Sequence, residues 1–168
     1  MSGSGKTTVA RSLLEHGEIA FDSKINKGIF HFVDKDGNVA DTQLLRDEAW
    51  RKRYKWSLNM PMLKELLQAN ADAERVFLCG RGNIRQYWDL ADKVFLLKVS
   101  PQTLLARLND EKRDNLFAKD SEAQQRVLKD LDFVYTNMIA AGAITIDAEQ
   151  PIEKVVNDII LITTRLPH

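Results

Sequence analysis

Ser2-Gly3-Ser4-Gly5-Lys6-Thr7-Thr8 have the types and spacing to do one kind of chemistry, the holding of a polyphosphate. They form the second half of the pattern G-x-x-x-x-G-K-[ST]. Gly3 and Gly5 have no Cβ, so the backbone turns tightly and its N–H groups approach phosphate oxygens. Ser4 and Thr8 complete the cradle. Lys6 is a point charge for β- and γ-phosphates, and the Thr7 hydroxyl is a ligand for Mg²⁺. The first glycine of the pattern falls upstream of Met1, and so does the apolar strand that feeds such a loop. A chance match in a glycine- and serine-rich N-terminus is the alternative. It is disfavoured because the motif opens directly into a helical pattern.

That helix covers about Thr8 to His16, with Val9, Leu13 and Leu14 on one face and Gly17 as its stop. Its N-terminal dipole points at the phosphates. Glu18–Asp22 reads as a short strand ending in an acid. Phe30–Val33 and Val39-Ala40 flank Asp36-Gly37, a hairpin signal. Helical patterns follow at about Leu44 to Tyr54 and Pro61 to Ala71. Arg75–Gly80 is a nearly continuous apolar run, as expected of a strand buried on both faces of a parallel sheet. Lys93–Val99 and Ala143–Asp147 are further strands. Helical patterns at Ile84 to Leu90, Pro101 to Leu108, Ser121 to Ala141 and Pro151 to Thr163 separate or follow them. Pro101 and Pro151 stand where a first-turn proline is expected. Alternating strands and helices predict an α/β fold of three layers.

Composition narrows the classes. At 168 residues the chain makes one domain, residues 1–168, without repeats or linkers. Lys+Arg and Asp+Glu are 24 each, so no net field argues for nucleic acid or a membrane surface. No apolar run reaches membrane-spanning length, and no signal peptide precedes the loop. The single cysteine, Cys79, lies in an apolar run and reads as core packing rather than a reactive thiol. With no internal disulfide possible, a reducing cytoplasm is expected. His16, His31 and His168 have no metal-ligand spacing, and one cysteine makes no zinc motif.

The chain resembles the nucleoside and nucleotide kinase branch of P-loop proteins, which includes adenylate, shikimate and gluconate kinases and small proteins labelled AAA-family ATPases. Four features carry the resemblance: Gly3–Thr8; Phe21-Asp22-Ser23; Leu104–Leu108 leading to Arg113–Lys119; and Ile146–Val155. It implies a P-loop NTPase fold with a mostly parallel five-stranded sheet whose central, first strand carries the phosphate loop. That strand is lacking here. Unpaired buried backbone groups cost about 1–3 kcal/mol each, against a total stability of about 5–15 kcal/mol. On that ground Met1 is expected to be an internal methionine of a longer natural chain.

The resemblance also implies ATP and Mg²⁺ as ligands, transfer of the γ-phosphoryl group, and a small-molecule or nucleotide acceptor. Arg107, on a helix, and Arg113, on the short lid loop beyond it at about 109–120, are implied to bring positive charge onto the transferring group. A solvated charged turn is the alternative for Asn109–Asp114. Asp22 ends a strand at the edge where open α/β sheets bind ligands; relatives use an acid there to orient the acceptor hydroxyl or hold magnesium through water. The shikimate-type second acid is replaced by Lys24, which argues against shikimate. Arg81, in Gly80-Arg81-Gly82-Asn83, is a candidate for an anionic group on the acceptor, and the glycines are expected to let backbone approach it. A Walker B acid is absent after Val76–Cys79, which weakens a hydrolytic ATPase reading. Asp47–Trp56 reads as an amphipathic helix with aromatics inward. Gln150, in the loop after the last strand, is implied to lie beside the adenine, and Asp147 reads as a helix-entry residue. Two other outcomes remain open: an ATP-binding regulatory or adaptor protein, and a truncated, inactive form.

Overall fold

The computed structural model describes residues 3–40, 48–80, 88–110 and 121–164. In chain order the elements are α1 (Lys6–Glu15), β1 (Ile19–Asp22), β2 (Phe30–Val33), α2 (Glu48–Arg53), β3 (Lys55–Leu58), α3 (Met60–Ala69), β4 (Val76–Cys79), β5 (Phe95–Lys98), α4 (Pro101–Asn109), α5 (Ser121–Ala140), β6 (Ile144–Asp147) and α6 (Ile152–Thr164). This is the α/β alternation the sequence predicts.

The strands form three pairs. β1 and β4 run parallel, with Ile19 opposite Val76 and Asp22 opposite Cys79. β5 and β6 run parallel, with Phe95 opposite Ile144. β2 and β3 run antiparallel, with Phe30 opposite Leu58. Among the described residues β4 and β5 share no ladder, so the two parallel pairs stand apart, without the central strand. One hydrophobic cluster nevertheless joins them. Ala20, Phe77 and Cys79 from the first pair and Leu96, Leu97 and Ile146 from the second pack together with residues of α1, α4, α5 and α6.

The pleat decides what each strand residue meets, because successive side chains point to opposite faces. Ala20, Phe77 and Cys79 face the cluster under α1. Ile19, Phe21 and Val76 face a second cluster with Ile29, Phe30, Leu58 and Leu63. By the same alternation Asp22 lies on the α1 side. α1 presents Val9, Ala10 and Leu13 to the core and stops where expected, at Gly17 with φ 81°. α3 is capped by Asn59, whose side chain accepts from Met62 N–H, with proline in its first turn.

Three expectations need correction. β4 is not buried on both faces: Leu78 is 39% exposed and the other three residues are half-buried. One edge of β4 carries no partner strand among the described residues. The helix expected through Trp56 ends at Arg53, and Lys55–Leu58 is a strand. β-branching is absent there; the pairing with Phe30–Val33 decides it, as tertiary partners often override local preference. The turn at Asp36-Gly37 forms, with an isolated bridge from Val33 to Val39, but the main partner of β2 is β3. The expected helices at about Leu44 to Tyr54 and Ile84 to Leu90 fall partly outside the described residues, at 44–47 and 84–87.

Candidate functional site

The phosphate loop has the shape its glycines suggest. Gly3 (φ 84°) and Gly5 (φ 96°) are both in the left-handed region, where side chains with a Cβ are strained. At Gly3 space is a second constraint: a Cβ there would lie 2.8 Å from Leu104 Cδ1. Gly5 is the N-cap of α1 and supplies no side-chain acceptor to its first turn. A helix N-terminus of this kind attracts anions. Ser4 is buried, and its Oγ accepts from Lys6 Nζ at 3.0 Å, which folds the lysine back over the loop. Thr8 stands exposed in the first turn.

The pleat brings Asp22 up under Thr7. Thr7 Oγ1 lies 3.2 Å from each carboxylate oxygen of Asp22 and donates to them. Asp22 is only 2% exposed. A carboxylate so buried requires hydrogen-bond donors, and Lys24 N–H supplies another at 2.8 Å. The Asp22 N–H donates to Asn26 Oδ1 (3.1 Å), and Asn26 N–H returns a bond to Asp22 O (2.7 Å). The acid therefore stands on a closed turn at the C-terminal end of β1.

Beside Asp22 in register is Cys79. Burial pushes its thiol up to about 12; the Asp22 carboxylate adds to the rise and Lys6 opposes it. The thiol stays protonated at neutral pH and is a poor nucleophile. The packing role expected of Cys79 fits that environment. Gly80, next along, does not leave open space. A Cβ there would lie 2.1 Å from Phe30 Cζ, so the room is taken by that ring. Phe30 in turn stacks on Trp56, with centroids 5.9 Å apart.

Arg107 reaches across from α4. Its Nη2 donates to Ala148 O at 2.7 Å. Its Nη1 lies 3.7 Å from the position of a Cβ on Gly5. The guanidinium is thus bonded to the turn after β6 and stands beside Gly5 of the loop. In that turn Gln150 Nε2 donates to Asp147 Oδ2 (2.9 Å), and Glu149 N–H donates to Asp147 Oδ1 (3.0 Å). Arg81 and Arg113 lie outside the described residues, as does most of the expected lid loop.

One polar residue escaped the sequence reading. Glu149 Oε1 accepts from Ser100 N–H at 3.0 Å and from Ser100 Oγ at 2.6 Å. Hydrogen bonds from the Ser100 and Thr103 side chains and the Ser100 N–H hold its carboxyl down at about 2. Ser100-Pro101 is a legible helix-start signature. Its acidic partner, far along the chain, is not.

Thr7 and Asp22 offer hard oxygen donors, the kind Mg²⁺ prefers together with phosphate oxygens. Among the described residues no group of three or more His, Cys, Asp or Glu is placed to hold a metal. A magnesium ion here would therefore depend on phosphates and water for its remaining ligands. No helix of the described residues is long and apolar enough to cross a membrane.

Residues 1–127 match the model of a family described as "AAA domain". No curated protein sequence matches the chain. Among the solved structures that do, deoxyadenosine kinase from M. mycoides with bound dATP is similar over 98% of this chain and 96% of that one. The TM-score is 0.52 at 15% sequence identity. This likeness is one of fold, and it extends over the whole α/β arrangement.

Proposed function

Because the chain belongs to the AAA-domain family and has a P-loop kinase-like fold, we propose that it binds Mg·ATP and transfers the γ-phosphoryl group to a hydroxyl of a small-molecule acceptor. A nucleoside or nucleotide is the acceptor class we favour, since the structural neighbour named above is a deoxyadenosine kinase. The observation that carries the reading is the Thr7–Asp22 contact directly behind a left-handed Gly3/Gly5 loop. That arrangement sets a phosphate cradle, a metal-ligand hydroxyl and a buried acid side by side.

In phosphoryl transfer the protein contributes positioning and charge neutralisation more than covalent chemistry. The bond from the γ-phosphorus to the β,γ-bridging oxygen breaks, and one to the acceptor oxygen forms. Asp22 orients the acceptor hydroxyl and receives its proton. Lys6 leaves Ser4 to neutralise the β- and γ-phosphates, and the Gly3–Thr8 backbone holds them. The Thr7 hydroxyl would hold Mg²⁺, which when bound would supply charge neutralisation at the phosphate oxygens. Arg107, already against the loop, faces the nucleotide, and Arg113 reaches the transferring group from a short lid at about 109–120. Arg81 pairs with an anionic group of the acceptor, and Gln150 lies at the base. Residues 1–168 act as one domain.

Calorimetric titration of Mg·ATP into the protein and into Lys6→Ala tests the first half. The expected result is saturable binding that the substitution removes. ADP production dependent on an added nucleoside or nucleotide tests the second. Binding without any acceptor-dependent ADP would leave an ATP-binding regulatory protein and refute the transferase reading.

A further inference from the structure

The turn after β6 is tied to α4 at two points, one at each end of that helix. Near the C-terminus of α4, Arg107 Nη2 donates to Ala148 O at 2.7 Å. At its N-terminus, Glu149 Oε1 accepts from the Ser100 N–H and hydroxyl at 3.0 and 2.6 Å. Ser100 is itself the N-cap of α4, its Oγ accepting from Thr103 N–H at 3.2 Å. A carboxylate at this position also meets the positive end of the helix dipole. The residue before the cap is fastened as well, by Tyr135 Oη, which accepts from Val99 N–H at 3.0 Å and donates to Val99 O at 3.1 Å. The turn's own backbone is set by Ala148 N–H donating to Lys98 O (2.9 Å) and Glu149 N–H to Asp147 Oδ1.

Arg107 Nη1 stands beside Gly5, 3.7 Å from where a Cβ on that residue would lie. A molecule with its phosphates in the loop therefore has Arg107 and the turn at 148–150 as its next neighbours. The turn also stands at the C-terminal end of a parallel strand, the edge at which open α/β sheets bind ligands. We propose that Glu149 is a positioning residue of the nucleotide site: its carboxylate straps the 148–150 turn to the start of α4, so that the turn and Arg107 present one fixed surface to the nucleoside part of the ligand. This rests on the reading of the phosphate loop as a nucleotide site. The strap acts beyond the phosphates, which sets its signature apart from that of Lys6 or Thr7.

The test compares Mg·ATP with Mg·tripolyphosphate, which has the phosphates and no nucleoside, by calorimetric titration into wild type, Glu149→Ala and Glu149→Gln. The expected result is an affinity for Mg·ATP weakened about five-fold in Glu149→Ala, the scale of losing one charged helix-cap contact. Mg·tripolyphosphate affinity should stay within about two-fold, because the loop at Gly3–Thr8 is untouched. Glu149→Gln keeps a carbonyl oxygen for Ser100 and should recover most of the loss. Equal weakening of both ligands would mean that the contact only supports the fold, and would overturn the proposal. Unchanged Mg·ATP affinity in Glu149→Ala would overturn it alone. A wild-type protein that binds tripolyphosphate as tightly as ATP, or binds neither, would overturn the nucleotide reading itself before any variant is measured.

Discussion

Replacing Gly80 by alanine should lower stability through one identifiable collision. The added Cβ would lie 2.1 Å from Phe30 Cζ and 2.6 Å from Cε2. Ordinary van der Waals contact begins near 3.4 Å, so the ring edge has to withdraw by about 1.3 Å. Phe30 has little freedom to do so. It is 8% exposed, packed with Phe21, Ile29 and Leu58, and stacked on Trp56. Overpacking of this kind costs about 1–3 kcal/mol. For a chain of this size that is a fall in Tm of about 2–4 °C per kcal/mol. Gly80 does not have positive φ, so backbone strain adds nothing. A double-mutant cycle isolates the collision. Phe30→Ala leaves a cavity and is destabilising by itself, by about 3–5 kcal/mol. Adding Gly80→Ala to it should cost less than about 0.5 kcal/mol, because the ring is gone. Thermal or urea melts of the four proteins, followed by circular dichroism, provide the numbers. A Gly80→Ala protein as stable as wild type, or one equally damaged with and without Phe30, would refute the reasoning.

Other outcomes follow from the same geometry. Gly3→Ala meets both a left-handed φ of 84° and Leu104 Cδ1 at 2.8 Å; it should cost about 1–3 kcal/mol in a melt and abolish Mg·ATP binding in a titration. Asp22→Asn keeps the volume and an acceptor for Thr7 but removes the charge; ADP production should fall by about 10²-fold or more, and Mg·ATP binding far less, as coupled-assay kinetics against titration will show. Arg75 Nη2 meets Glu18 Oε1 at 2.7 Å with both side chains largely covered, and Arg75 Nη1 meets Thr164 Oγ1 at 2.8 Å; Arg75→Ala should destabilise by about 1–3 kcal/mol in urea, the scale for stranding a covered charged group. Glu149 has a folded value of about 2, below its ordinary 4.5. Its contribution to stability is therefore complete above pH 4.5 and is lost as pH falls toward 2. The Tm difference between wild type and Glu149→Gln should shrink over that window.

Local chemistry determined much of this protein from the sequence alone. The glycine-rich loop stood out because glycines, a lysine and a threonine at fixed spacing have few other uses, and Gly3 and Gly5 adopt the left-handed conformation. The α/β alternation was legible from apolar runs and from the first-turn proline Pro101, and Asp22 stood out because it ends a strand. Contacts between distant segments were not legible. Lys55-Trp56 reads as the end of an amphipathic helix until β2 arrives to pair with Lys55–Leu58. Gly80 reads as open backbone until Phe30, fifty residues earlier, fills its space. Whether Asp22 meets Thr7 or solvent depends on the face the pleat gives it under α1. The ties from Arg107 and Ser100 to the turn at 148–150 exist only once both ends of α4 meet that turn. Spacing along a chain encodes the period of an element and the chemistry of a motif. Which elements become neighbours, and therefore which polar groups find partners, is decided only when the whole chain buries its apolar surface.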